Sequence, residues 1–142
     1  MNFRFSTLLL FVFAWSFSQN LKVMSFNIRL NVDSDKENSW TNRKQDAVDL
    51  LSYYHPDYFG VQEALPEQMK DIKNGLKNYD YVGVGRDDGK EKGEFSAIFY
   101  DTERLQVIKS GTFWLSETPE KPSRGWDAAY NRVCTYAVFK DK

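Results

Sequence analysis

Cysteine and histidine are almost missing from this sequence of 142 residues, which has one of each. With Cys134 alone no internal disulfide can form, so stability must come from packing. Cys134 lies in RVCTYAVF, a strand-like run, where a small buried hydrophobe is expected rather than a reactive thiol. His55 stands before Pro56 and reads as the C-terminal residue of a helix. Basic blocks are missing too. The 19 Lys and Arg against 20 Asp and Glu give a formal charge of −1, which is not the electrostatic footprint of a sequence-reading nucleic-acid protein. A charged polymer substrate is not thereby excluded. There are no internal repeats or low-complexity segments, and no apolar run approaches the ~20 residues of a membrane-spanning helix.

What is present fits one modest domain: 42% hydrophobic and 16% aromatic residues suit a compact globule. The start of the chain differs from the rest. Arg4 is followed by an apolar stretch, Leu8 to Trp15, and then by Ser16-Phe17-Ser18, the pattern of a secretory signal cleaved near Ser18. Residues 1–18 are therefore expected to be a signal peptide, and the protein to be secreted or periplasmic, monomeric and without a membrane span. Losing Arg4 leaves 18 basic and 20 acidic residues, a net of −2.

Along the mature chain, Lys22 to Asn27 has strand character and runs into the polar loop NVDSDKENS, which suits turns and a helix cap. In RKQDAVDLLSYY the apolar positions Ala47, Leu50, Leu51 and Tyr54 share one face of a 3.6-residue period. Pro56 ends that helix, because the residue before proline is pushed out of helical geometry. A strand over Tyr58 to Gln62 follows, then a second helix with Leu65, Met69, Ile72 and Leu76 on one face, Pro66 in its first turn and Asn74-Gly75 near its end. From Tyr79 the pattern changes to short strands between turn signals: YDYVGV, EFSAIFYD, TERLQVIKS and GTFWLSE, read as an antiparallel meander. The irregular loop ETPEKPSRGWDAAYN leads to a last strand, Arg132 to Phe139.

The stretch DYFGVQEA, residues 57–64, carries an aromatic and aliphatic strand into Gln62 and Glu63, which are poor residues to bury. Strand, helix and strand with short joins form a βαβ unit, so the two strands run parallel and their carboxyl ends face the same way. Those ends carry Asn27 and Glu63, where open α/β sheets bind ligands. One carboxylate beside an amide is a weak acid–base pair, but it suits a hard cation such as Mg²⁺, which leaves other positions to water and substrate phosphate. The competing account is that Glu63 merely favours the positive N-terminus of the next helix.

KVMSFNIR, then Trp40 with Arg43-Lys44, then PDYFGVQE, together resemble the endonuclease/exonuclease/phosphatase superfamily, the deoxyribonuclease-I-like metal-dependent phosphoesterases. SAIFYD, GTFWLSETP and GWDAAYNR are similar to a secreted bacterial branch of it. The resemblance, over residues 21–142, implies a deoxyribonuclease-I-like four-layer α/β sandwich. It makes Glu63 a metal ligand, with Asn27 near the metal and the scissile phosphate, and both of them catalytic. The cofactor it implies is Mg²⁺, with Mn²⁺ as a substitute. Arg132 gains a role at a phosphate oxygen, the alternative being a structural ion pair at a strand start. Trp40 and Arg43 are expected to pack and cap, and Trp114 and Trp126 to be core or loop anchors.

The family's histidines, its Asp–Asn pair and its terminal Asp–His pair have no counterpart here, so no group that takes a proton from water can be mapped. The chain is accordingly expected to be the N-terminal part of an incomplete fold, inactive alone. The leading reading is a secreted Mg²⁺-dependent phosphoesterase acting on a nucleic acid, a phospholipid head group or a sugar phosphate. A glycoside hydrolase would need two carboxylates flanking one bond, and Glu63 has no evident partner. A non-catalytic secreted binding module is the remaining alternative.

Overall fold

The two helices begin and end where proline and the caps dictate. In the computed structural model, which describes residues 20–142, α1 spans Trp40–Tyr54 and stops at His55. His55 takes left-handed backbone angles and donates its N–H to Leu51 O at 2.9 Å, the usual way a helix closes ahead of proline. Helix α2, Pro66–Gly75, has proline in its first turn, where the missing N–H costs nothing. The Gln68 side chain reaches back to accept the N–H of Leu65 at 3.0 Å. Gly75 is needed for a close approach: a Cβ there would meet the Val48 methyls of α1 at 2.7 Å.

The strands are β1 (Val23–Asn27), β2 (Tyr58–Ala64), β3 (Tyr79–Val82), β4 (Phe95–Asp101), β5 (Leu105–Trp114) and β6 (Val133–Asp141). β1 and β2 pair in parallel with Asn27 opposite Gln62, as the βαβ reading requires. The later pairings are antiparallel but are divided between two sheets. β4 enters between β2 and β3, giving the order β1-β2-β4-β3, and β5 pairs with β6 in a separate two-stranded sheet. TERLQVIKS and GTFWLSE are not two strands separated by a turn; they form the single strand β5, with an irregularity between Val107 and Lys109.

Alternation along β2 and β4 sends Phe59, Val61, Phe95, Ala97 and Phe99 into one core with Leu51, Met69 and Ile72 of the helices. The Phe59 and Phe99 rings stack at 5.0 Å, and burying each contributes about 2–3 kcal/mol. On the opposite face Tyr58 and Tyr100 meet Phe139 of β6 at 5.7 and 5.2 Å. The described residues therefore stack helices on a sheet and that sheet on a second one, three layers of the expected α/β sandwich. The outer face of the second sheet presents Phe113, Tyr136 and Val138 to solvent. Cys134 lies exposed beside them, not buried as its strand context suggests. In α1, Ala47 and Leu51 are buried while Leu50 and Tyr54 are exposed, so the packed stripe is narrower than the periodicity implies. Among the described residues no helix is long and apolar enough to cross a membrane. The signal-peptide reading of residues 1–18 falls outside the described residues.

At the amino ends of β1 and β2 an ionic staple joins distant segments. Asp57, only 5% exposed, accepts the N–H of Lys22 at 2.5 Å and Nη1 of Arg104 at 2.6 Å. Arg104 also donates to Asn20 O and approaches Asp141 at 3.6 Å. The exchange holds Arg104 more firmly protonated than usual, chiefly through its hydrogen bond to Asp57.

Candidate metal and phosphate site

Glu63 is presented by a β-bulge. Val61 pairs with Ala97 and Ala64 with Phe95, so Gln62 and Glu63 together oppose Ser96 alone. A bulge of this kind kinks the strand and re-aims a side chain. Strand β2 continues to Ala64 instead of ending at Gln62, and Glu63 adopts φ 60°, a left-handed conformation that costs a non-glycine residue about 1–2 kcal/mol.

The side chain so placed is held by neutral donors. Asn27 Nδ2 donates to Oε1 at 2.9 Å, and the N–H of Leu30 donates to Oε2 at 3.1 Å. The orientation of the Asn27 amide follows from its other end: the N–H of Arg29 points at Oδ1 at 2.9 Å, and a backbone N–H can only donate. Those bonds, Asn27 first and Leu30 second, hold the Glu63 carboxyl below its ordinary value of 4.5 against the opposing effect of burial. Glu63 thus remains ionised in mild acid with no ion pair to a basic side chain among the described residues.

The loop that delivers the Leu30 N–H is itself braced. Gln68, 0% exposed, donates Nε2 to Arg29 O at 2.9 Å and accepts from Asn31 N at 3.3 Å as well as from Leu65. Arg43 donates to Ile28 O at 2.8 Å and to Asn38 O at 2.6 Å. Trp40 is buried and its indole N–H donates to Asp71 at 2.9 Å. Trp40 and Arg43 therefore pack and brace the loop, as expected. Gln68 escapes a sequence reading, since the helical period makes it an ordinary polar position.

Asn27, Gln62 and Glu63 line a cavity of about 230 Å³ whose far wall is Arg86, Glu94, Ser96, Asn131, Arg132 and Val133. The structure thus brings together Asn27, Glu63 and Arg132. Arg132 makes no ion pair among the described residues. Clefts of about 380 and 370 Å³ lie beside Trp114 and beside Met69, but neither includes the carboxyl ends of β1 and β2. Trp114 is buried and donates to Arg86 O at 2.7 Å, an anchor as expected. Trp126 is 77% exposed and anchors no core. His55 sits at the other end of β2, beyond Tyr58.

As a metal site this constellation is partial. No group of three or more His, Cys, Asp or Glu converges among the described residues. One ionised carboxylate without a basic partner, with an amide beside it, fits Mg²⁺, which is bound through few protein carboxylates and keeps several waters.

No family model matches the chain. Among solved structures, it is similar to an endonuclease/exonuclease/phosphatase family protein from Bacteroides thetaiotaomicron, at 48% identity and a TM-score of 0.83, covering 86% of this chain and 44% of that one. A mannosyl-6-phosphatase from the same organism matches at 47% identity and a TM-score of 0.83, covering 86% of this chain and 46% of that one. Among curated proteins, an uncharacterised protein of Acanthamoeba polyphaga mimivirus is 30% identical over 131 residues, 77% of this chain and 19% of the viral protein. The chain spans less than half the length of each of these relatives. With its βαβ unit, its stacked sheets and this likeness over most of its residues, the chain belongs to the endonuclease/exonuclease/phosphatase superfamily.

Proposed function

We propose that this chain forms the metal-holding part of an exported Mg²⁺-dependent phosphoesterase, and that its substrate is a sugar phosphate. The observation that carries the reading is the Glu63 carboxylate, aimed by a bulge, kept ionised chiefly by Asn27 and Leu30 with a smaller contribution from the charge of Arg29, and in no ion pair among the described residues. Mn²⁺ is the expected substitute for Mg²⁺. The named activity of the mannosyl-6-phosphatase supports a sugar phosphate over a nucleic acid or a phospholipid head group.

In this reading Glu63 holds the cation, and Asn27 orients the carboxylate through Nδ2 rather than serving as the principal ligand. Arg132 meets a phosphate oxygen, for which a planar guanidinium is suited. The bound cation supplies charge stabilisation to the phosphate oxygens. This reading assigns no group among residues 20–142 to take a proton from water, His55 standing at the far end of β2.

The test is turnover of a mannose phosphate, an aryl phosphate monoester and an aryl phosphate diester by the complete open reading frame, with Mg²⁺ and with EDTA. Metal-dependent release of phosphate is expected from the monoesters, and residues 19–142 alone should give none. Turnover unaffected by EDTA would remove the metal assignment. Mass spectrometry of exported protein should find Gln19 at the N-terminus; Met1 there would remove the signal assignment.

A further inference from the structure

Arg86, on the cavity wall, has a largely buried side chain with one buried donor left without a partner. Its backbone carbonyl makes the structural link: it accepts the indole N–H of Trp114 at 2.7 Å and Nδ2 of Asn131 at 3.1 Å. The first bond joins the glycine-rich loop after β3 to the end of β5, and the second joins it to the segment that leads into β6, next to Arg132. The side chain adds to that link only through the ring of Tyr130.

The Arg86 side chain is 12% exposed and lines the same cavity as Glu63. Glu94 approaches one terminal nitrogen at 2.7 Å, and the ring of Tyr130 lies 5.2 Å from the guanidinium carbon. Nε is buried with no hydrogen-bond acceptor; Asp87 Oδ1, at 3.8 Å, is close enough for charge attraction but too far for a hydrogen bond. A side chain retained only as an ion pair would be expected to use its donors more fully, since an unmatched buried donor on a charged group is costly. With Nε sealed from any ligand and Glu94 against one terminal nitrogen, the terminal nitrogens are the donors left to meet a phosphate oxygen.

Charge decides which phosphate. Among the cavity residues Glu63 and Glu94 oppose Arg86 and Arg132, so the walls are formally neutral and become dipositive with a divalent cation. A phosphate monoester carries about −1.5 to −2 near neutral pH and balances that charge, whereas a diester brings one negative charge. Resting on the phosphoesterase reading above, we infer that Arg86 is a specificity-determining residue of this site, receiving a terminal phosphate together with Arg132 and selecting monoesters over diesters.

The experiment uses the complete open reading frame with Arg86→Met and Arg86→Lys. It compares kcat/KM for an aryl phosphate monoester and its diester in Mg²⁺, and titrates inorganic phosphate calorimetrically. Arg86→Met is expected to lower monoester kcat/KM by about tenfold to a hundredfold, the range for a hydrogen bond to a charged group, mainly through KM. The diester should change by less than about threefold, and Arg86→Lys should recover part of the monoester loss. Phosphate affinity should weaken in the same order. Equal losses on both esters, or an unchanged ratio, would overturn the assignment of Arg86 and leave the phosphoesterase reading standing. If the unaltered protein hydrolyses neither ester, that reading falls and the titration decides: phosphate binding weakened by Arg86→Met keeps Arg86 as an anion-selecting residue. Binding that is absent or unaltered by the substitution removes it.

Discussion

Strand β2 begins and ends beside a carboxylate, and the two are used in opposite ways. Asp57, ahead of its amino end, is matched by a guanidinium and a backbone N–H and joins β1, β2, β6 and the turn before β5. Glu63, near its carboxyl end, has an amide and one backbone N–H for partners, on a residue with strained backbone angles. Asp57 is neutralised and ties the fold together. Glu63 is fixed in place and left negative. They differ in the end of the strand they occupy and in the charge of their donors, and a carboxylate held by neutral donors keeps its attraction for a cation that arrives later.

The sharpest way to break this comparison is Glu63→Gln in the complete open reading frame. It keeps the shape and removes the charge, so Mg²⁺-dependent turnover should fall about a hundredfold or more while the urea midpoint hardly moves. A large loss of stability with retained turnover would make Glu63 a second staple. Asp57→Ala should do the reverse, lowering stability by about 2–3 kcal/mol in urea melts through loss of a charged, largely buried hydrogen-bonding group. Mn²⁺ affinity, followed by its paramagnetic signal, should stay within experimental error.

Asn27→Ala sharpens the comparison by pH. Because the folded-state value of Glu63 is depressed, its stabilisation is fully present above the ordinary value of 4.5 and is lost as pH falls through the lowered one. Removing the Asn27 donor should raise the carboxyl toward 4.5 and move the acid midpoint of Mn²⁺ binding upward with it. A midpoint that stays put would mean that the Leu30 N–H alone holds the charge. The smallest effect is expected from His55→Gly at the helix end. It relieves a left-handed conformation and should add up to about 1 kcal/mol with turnover unchanged. Lost turnover would bring the far end of β2 into the chemistry.

How much of this could be read beforehand depended on whether a cause was local. The helices were legible because their causes lie within a turn or two: an apolar stripe, Pro56 to stop one and Pro66 to start the other. The parallel approach of Asn27 and Glu63 followed from the crossover rule. β5 was misread because Ser110-Gly111 is a local turn signal, whereas the reason for that glycine lies on another strand: a Cβ would meet the Tyr136 ring at 2.9 Å. The bulge at Gln62-Glu63 had no local mark, since it is a property of the pairing with β4. Exposure of Cys134 depends likewise on which face of β6 meets the first sheet. Arg86 is defined by partners from three separate places in the chain, Trp114, Tyr130-Asn131 and Glu94.

Docking of β6 makes the site conditional. Asn131 and Arg132 immediately precede β6, and among the described residues β6 pairs with β5 after a long connection whose closure carries an entropy cost. Local opening of β6 would carry away the wall that faces Glu63, so the competent population is the fraction of time that β6 is docked. Thermodynamic linkage then runs both ways: an anion that binds only the closed wall holds β6 down by RT ln(1 + [L]/Kd). Amide protons of β6 should exchange more slowly as phosphate and Mg²⁺ are added, while those of β1 and β2 keep their rates.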